Sequence, residues 1–266
     1  MSEDRKIVAA VPIMRELTKD ERDLIGISVA ELIPNINGYI SKRSVHEFGH
    51  VILEETMGTE LSVVNNARVS FNTFSQEFTD KDKGLLTFLM REFHAVPFER
   101  IELAFDIKLP IFVCRQLVKH RLSSMNEISG RYSELDYEFY IPAPDYVRKQ
   151  EGKIGDYFFT PIDDVEVVED TRYHIDRVSR ECFRTYQYLL EKGVAKEVAR
   201  CVLPVNLYTR IKWKLNLRVL FNFLRLRNHD HAQKEIVDYA KAIEELVTEQ
   251  YPYIMKVWNE HGRNSI

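Results

Sequence analysis

The residues with the most chemical capacity stand close together between positions 115 and 132. Eighteen residues there hold four cations (Arg115, Lys119, Arg121, Arg131), His120, Glu127 and small polar side chains that include Ser123, Ser124, Asn126 and Ser129. Guanidinium groups grip phosphate through paired, charge-assisted hydrogen bonds, and hydroxyl and amide groups suit the edges of a polar heterocycle. A phosphorylated heterocycle is therefore a ligand this composition fits. On composition alone, a solvated basic helix end followed by a loop accounts for the stretch equally well.

A second candidate is His46-Glu47-Phe48-Gly49-His50, which matches the zinc-hydrolase pattern H-E-x-x-H. That chemistry needs both imidazoles on one helical face, with the glutamate as base and a third ligand downstream. Gly49 weakens a helix, and Val51-Ile52-Leu53-Glu54 reads more like a strand. A zinc hydrolase using His46, Glu47 and His50 is thus a minor alternative. In His229-Asp230-His231 alternate residues do not share a helix face, so a capping or supporting role is expected.

The elements that must position these residues follow from periodicity. Pro110 fits the start of a helix whose apolar side is Ile111, Phe112, Cys114, Leu117 and Val118. Gln116, Lys119 and His120 share its other face. The polar stretch Ser123 to Asn126 favours a turn. Ile101, Leu103, Phe105, Ile107 and Leu109 alternate, which predicts a half-buried strand over 100–109, and Tyr137, Phe139 and Ile141 alternate likewise. Short helices are expected over 61–71 and 79–93, and again over 194–203. A long one over 171–192 has Ile175, Val178, Cys182, Phe183, Tyr186, Leu189 and Leu190 inward. Residues 143–170 read as a surface excursion. Residues 206–213 read as extended, 215–227 as helix and 232–250 as a final amphipathic helix. Arg218, Asn222 and Arg225 fall on one side of the 215–227 helix, where a solvated face is the plain reading. Residues 1–47 read as a helical extension, with Thr18 and Glu21 at capping-box spacing.

Composition bounds the rest. The 266 residues carry 45% hydrophobic and 29% charged side chains and a net charge of −4, an ordinary globular composition without the overall positive charge of a nucleic-acid binder. Three scattered cysteines, Cys114, Cys182 and Cys201, are too few for a disulfide framework or a cysteine zinc site, and each sits in an apolar pattern expected of a core residue. No apolar run is long enough to span a bilayer and the start lacks signal-peptide order, so a cytoplasmic protein with no membrane partner is expected. A non-catalytic nucleotide- or RNA-binding module using Lys119, Arg121 and Arg131 is a further class to weigh.

Lys119-His120-Arg121, seven residues, then Ser129 resembles the R-H-R-x7-S signature of the flavin-dependent thymidylate synthases. The fuller pattern H-R-x-x-S-x-N-E-x-S-x-R-Y is matched at every fixed position from His120 to Tyr132. The likeness runs from about Val51 to Tyr251. It implies an α+β fold, a single mixed domain over 48–266 with a small sheet flanked by long helices, assembling as a homotetramer with sites shared between subunits. It further implies transfer of a methylene from methylenetetrahydrofolate to carbon-5 of dUMP, with FAD as cofactor, NADPH as reductant and no protein nucleophile. By position, the resemblance assigns the nucleotide to Gln116, Lys119, Glu127, Ser129, Gly130, Arg131, Arg200 and Arg227, with Arg227 polarising the uracil. It assigns the flavin to His94, Val96, Lys119, His120, Arg121, Glu127, Asn216, Leu217, Arg218 and Asn222. Two departures stand out. Lys119 replaces an arginine and loses its flat bidentate fork, and Val96 stands where a hydroxyl residue is common. Both leave open the same chemistry on UMP in a specialised nucleoside pathway.

Overall fold

The computed structural model describes residues 38–263, so the helix expected to open at Thr18 lies outside the described residues. Its strands are β1 (Ser41–Val45), β2 (Gly49–Met57), β3 (Glu102–Pro110), β4 (Ser124–Glu127), β5 (Arg148–Lys153), β6 (Asp156–Pro161) and β7 (Tyr208–Asn216). Its helices are α1 (Glu60–Arg68), α2 (Asp80–Arg91), α3 (Ile111–Leu117), α4 (Val165–Glu191), α5 (Lys196–Ala199), α6 (Leu217–Arg227), α7 (Lys234–Gln250) and α8 (Pro252–Val257), followed by a π-helical turn at Trp258–Gly262. No helix among the described residues is long and apolar enough to cross a membrane.

The main sheet has five strands in the order β1-β2-β3-β7-β4, every neighbour antiparallel. The alternation expected over 100–109 is present. Leu103, Phe105, Ile107 and Leu109 are buried, as are Ile211, Trp213 and Leu215 across the ladder. This apolar face packs on α6, α7 and α8 through Phe223, Ile243, Leu246 and Ile254. The opposite face is ionic. Asp106, only 1% exposed, accepts from Arg210 Nε at 2.8 Å and from Lys212 Nζ at 2.8 Å. Burial alone would push its carboxyl up, but bonds from Arg210 and Lys212 outweigh that and bring it down to about 2.

Four expectations need correction. Ser124–Glu127 is a strand, paired Ser124 to Lys214 through Glu127 to Ile211, because an open edge of β7 offers its backbone groups a ladder. The 143–170 excursion contains the β5–β6 hairpin and the first turn of α4, whose N-cap Asp164 accepts from the amides of Glu166 and Val167. Along α4 only Val168, Ser179 and Tyr186 are buried, and Val178, expected inward, is exposed. Cys114 is buried, but Cys182 is half-buried and Cys201 exposed.

The H-E-x-x-H pentad is not helical. His46, Glu47 and Phe48 form the turn of the β1–β2 hairpin, with His46 in the left-handed region at φ 56°. A Cβ on Gly49 would lie 2.1 Å from the Tyr239 hydroxyl and 2.4 Å from the Val45 carbonyl, so only glycine fits there. His46 Nε2 meets Asp238 at 3.0 Å and His50 Nε2 approaches Asp106 at 3.6 Å. Among the described residues no group of three or more His, Cys, Asp or Glu side chains is placed to hold a metal. The pentad closes a hairpin, and the zinc-hydrolase alternative falls with the helix it required. This hairpin also puts residues 41–45 in the sheet.

Candidate active site

α6 starts where β7 ends. Asn216 leaves the strand, and its side chain accepts from the Val219 amide at 3.0 Å, capping the helix. Leu217, Leu220, Phe223 and Leu224 then face the core. The helical period places Arg218, Asn222 and Arg225 on the other side, where they line a cavity of about 1370 Å³ with Arg227. The end of α3 supplies the facing wall, Lys119, His120 and Arg121. The stripe that periodicity alone reads as solvated is the wall of this cavity.

Its floor is apolar. Leu89, Met90, Phe98, Phe221 and Trp258 line it, and the Phe221 and Trp258 rings stack 5.4 Å apart at 8°. Glu99 accepts from Arg218 Nη1 at 2.6 Å. Arg225 Nη2 donates to the Asn222 side-chain oxygen Oδ1 at 3.1 Å. No ion pair joins Lys119, Arg121 or Arg227 to a carboxylate among the described residues. The rim is therefore strongly electropositive, suited to a diphosphate, while the Asn216 and Asn222 amides can meet polar ring edges. At this volume the cavity exceeds the usual range for small-ligand pockets and is large enough for a dinucleotide.

His120 behaves differently from its cationic neighbours. It is 8% exposed, and burial followed by the Arg227 cation pushes its imidazole down to about 4. It is thus neutral near pH 7, and its Nε2 accepts from Arg227 Nε at 3.1 Å. Arg227 Nη2 donates to the Gln116 carbonyl at 3.4 Å. The Gln116 side chain donates to Gln233 Oε1 at 2.5 Å.

The remaining expected site residues lie elsewhere. Glu127, Ser129, Gly130, Arg131 and Arg200 do not line the cavity. Glu127 accepts from the Thr209 hydroxyl at 2.6 Å. Arg131 is on Glu197 at 3.0 Å, and a Cβ on Gly130 would sit 3.3 Å from Arg200 Cδ, so 129–131 packs against α5 and the residue that follows it. Leu217 is fully buried and Val96 is 63% exposed. His94 stacks edge-on against Phe88 at 5.7 Å, while its neighbours Phe93 and Ala95 reach the cavity. Phe221, Trp258 and Glu99 line the cavity without having been assigned to a site. A signal for Trp258 was present, since Pro252 after the Gln250 end opens a further helix. The Cys114 thiol is buried and pushed up to about 12 by that burial, the opposite of an activated nucleophile.

Comparison with known proteins agrees over most of the chain. The sequence model of the family described as "Thymidylate synthase complementing protein" matches residues 51–253. The flavin-dependent thymidylate synthase of Thermotoga neapolitana is 46% identical over 221 residues, covering 83% of this chain and 95% of the relative. That of Thermus thermophilus is 43% identical over 213 residues, covering 80% and 76%. Among solved structures, the UMP/dUMP methylase PolB from Streptomyces cacaoi bound with 5-Br dUMP superposes with a TM-score of 0.75 at 33% identity. The match covers 84% of this chain and 100% of that one.

Proposed function

The chain belongs to the flavin-dependent thymidylate synthase family, and on that premise we propose that it reductively methylates carbon-5 of dUMP to give dTMP. The carbon donor is methylenetetrahydrofolate, the cofactor FAD and the reductant NADPH. The observation that carries this reading is the cavity of about 1370 Å³, with an aromatic floor and a rim of cations that includes Lys119, Arg121 and Arg227. When bound, FAD supplies the hydride chemistry that no side chain here provides.

The protein's own part is placement and electrostatics. Lys119, Arg121 and Arg218 hold the cofactor's phosphates, and Asn216 and Asn222 hydrogen-bond the polar edges of its ring. His94, Val96 and Leu217 each stand next in sequence to a residue that lines the same cavity. Arg227, with no carboxylate paired to it among the described residues, stabilises negative charge that builds up on the pyrimidine during attack through carbon-5. The nucleotide phosphate and the far side of the base are held by Gln116, Ser129, Gly130, Arg131 and Arg200, with Glu127 between the two groups.

In this reading the chain works as a homotetramer. Ile211, opposite Glu127, precedes Asn216 by five residues on β7, about 16 Å along an extended strand. One chain therefore offers the Arg131 group and the cavity in different places, and a second copy completes each site. The exposed Val167, Val178 and Tyr188 on α4 supply apolar surface for such an assembly.

The test is an absorption spectrum of the purified protein combined with dTMP formation. Flavin bands and turnover of dUMP are expected, whereas a protein that binds no added FAD would end the proposal. A second reading has a specific motive. The PolB structures are described with 5-Br dUMP and with 5-Br UMP bound, and Lys119 departs from the arginine of the signature. The same chemistry on UMP is tested by comparing kcat/KM for the two nucleotides, and a ratio favouring UMP would select it.

A further inference from the structure

The resemblance puts His120 among flavin contacts, but its surroundings suit another task. Arginine is charged throughout the working pH range and can only donate. The 3.1 Å contact from Arg227 Nε therefore makes His120 Nε2 an acceptor and puts the imidazole proton on Nδ1. The Gln116 carbonyl takes Nη2. That leaves Nη1 with no acceptor among the described residues, on a side chain that lines the cavity.

The acceptor is rigid. The His120 ring stands edge-on to Phe223 at 5.0 Å and 77°. Phe223 is fully buried and packs on Trp213 at 5.1 Å. Trp213 Nε1 donates to Ser123 Oγ at 2.9 Å, and Ser123 Oγ donates to the His120 carbonyl at 2.7 Å. The His120 amide donates to the Leu117 carbonyl at 3.0 Å. Ring and backbone are thus both tied to the sheet core.

The acceptor is also uncharged. A carboxylate in its place would orient Arg227 equally well and cancel the field that Arg227 supplies. A neutral imidazole and a backbone carbonyl orient the guanidinium and leave its charge intact.

We propose that His120 is a positioning residue for the reaction, which aims the Arg227 guanidinium, through Nε2, so that Nη1 faces the pyrimidine. This rests on the function proposed above.

The test is a double-mutant cycle. His120→Leu is expected to lower kcat by about 100-fold, the loss a misplacement of about 1 Å produces, with KM for dUMP within about threefold and FAD content unchanged. His120→Gln keeps a neutral acceptor and should recover activity to within about tenfold of the native protein. In an Arg227→Ala background the further change His120→Leu should cost less than about threefold, because coupled residues are not additive. Crystal structures of the flavin-free variants give a readout independent of turnover. Arg227 should swing away in His120→Leu and stay in place in His120→Gln. Additive losses in the cycle, or an Arg227 unmoved by His120→Leu, would overturn the proposal, as would loss of FAD with kcat preserved once FAD is saturating. An inactive, flavin-free native protein would instead overturn the function on which it rests.

Discussion

Arg121 and Arg131 stand in one short segment and meet opposite surroundings. Arg121 lines a cavity with Lys119 and His120 and has no carboxylate partner among the described residues. Arg131 is half-exposed, rests over the Tyr132 ring at 5.5 Å and is paired with Glu197 at 3.0 Å. Between them β4 runs along β7 from Lys214 to Ile211. The first half is preorganised, with its charge left open and its neighbours fixed by core contacts. The second is a surface pair, the kind of contact that contributes little to stability and exchanges partners readily. On the function proposed above, the contrast separates a cavity ready for a cofactor from a phosphate grip that engages substrate only when another surface comes to it.

Three perturbations would break or sharpen this contrast. The largest effect is expected for Arg227→Ala. Loss of an electrostatic stabiliser at the reacting ring should lower kcat by roughly 10³-fold, with FAD retained through gel filtration. If flavin and turnover were lost together, the two halves would not be functionally distinct.

Next is Arg131→Ala, which should raise KM for dUMP by about 30-fold, the cost of a charge-assisted phosphate contact, with kcat within about threefold. Its thermal midpoint should hardly move, since only a surface pair is removed. A large drop in midpoint would show that Arg131 belongs to the fold.

The smallest effect concerns the strand that separates the halves. Asp106 ties Arg210 and Lys212 of β7 to β3. Its carboxyl lies at about 2 when folded, against the usual 3.8. A lowered folded value contributes stability above the unfolded value, and that contribution is lost as pH falls from about 4 toward 2. Asp106→Asn should cost on the order of 2 kcal/mol near pH 7, and the difference should shrink in that acid window. A pH-independent difference between the two melting curves would remove the ionic tie from the account.

The parts that were legible in the sequence share one property, an apolar face against a core. β3 shows it in Leu103, Phe105, Ile107 and Leu109, and α6 in Leu220, Phe223 and Leu224. Where burial is absent or two-sided the signal fails. β5 and β6 are exposed along nearly their whole length, so no period of two marks them. β4 is defined by backbone pairing with β7, which side chains do not announce. Arg218, Asn222 and Arg225 have the spacing of a solvated stripe because a polar cavity wall and a polar surface demand the same residues. His46-Glu47-Phe48-Gly49-His50 shows the converse. A specific spacing without its helix is a hairpin turn, fixed by the space left beside Tyr239. The spaced motif from His120 to Tyr132 pointed to the right family, but its residues divide between two places, and only the register of β4 on β7 reveals that division.

The most direct test of the central claim is complementation between two impaired chains, assayed at dUMP well below the raised KM of Arg131→Ala. Arg227→Ala and Arg131→Ala subunits, co-expressed with different tags and purified as mixed assemblies, place an intact cavity on one chain beside an intact phosphate grip on another. Sites shared between copies predict dTMP formation well above that of either variant alone, and mixed assemblies no more active than the better single variant would contradict the account.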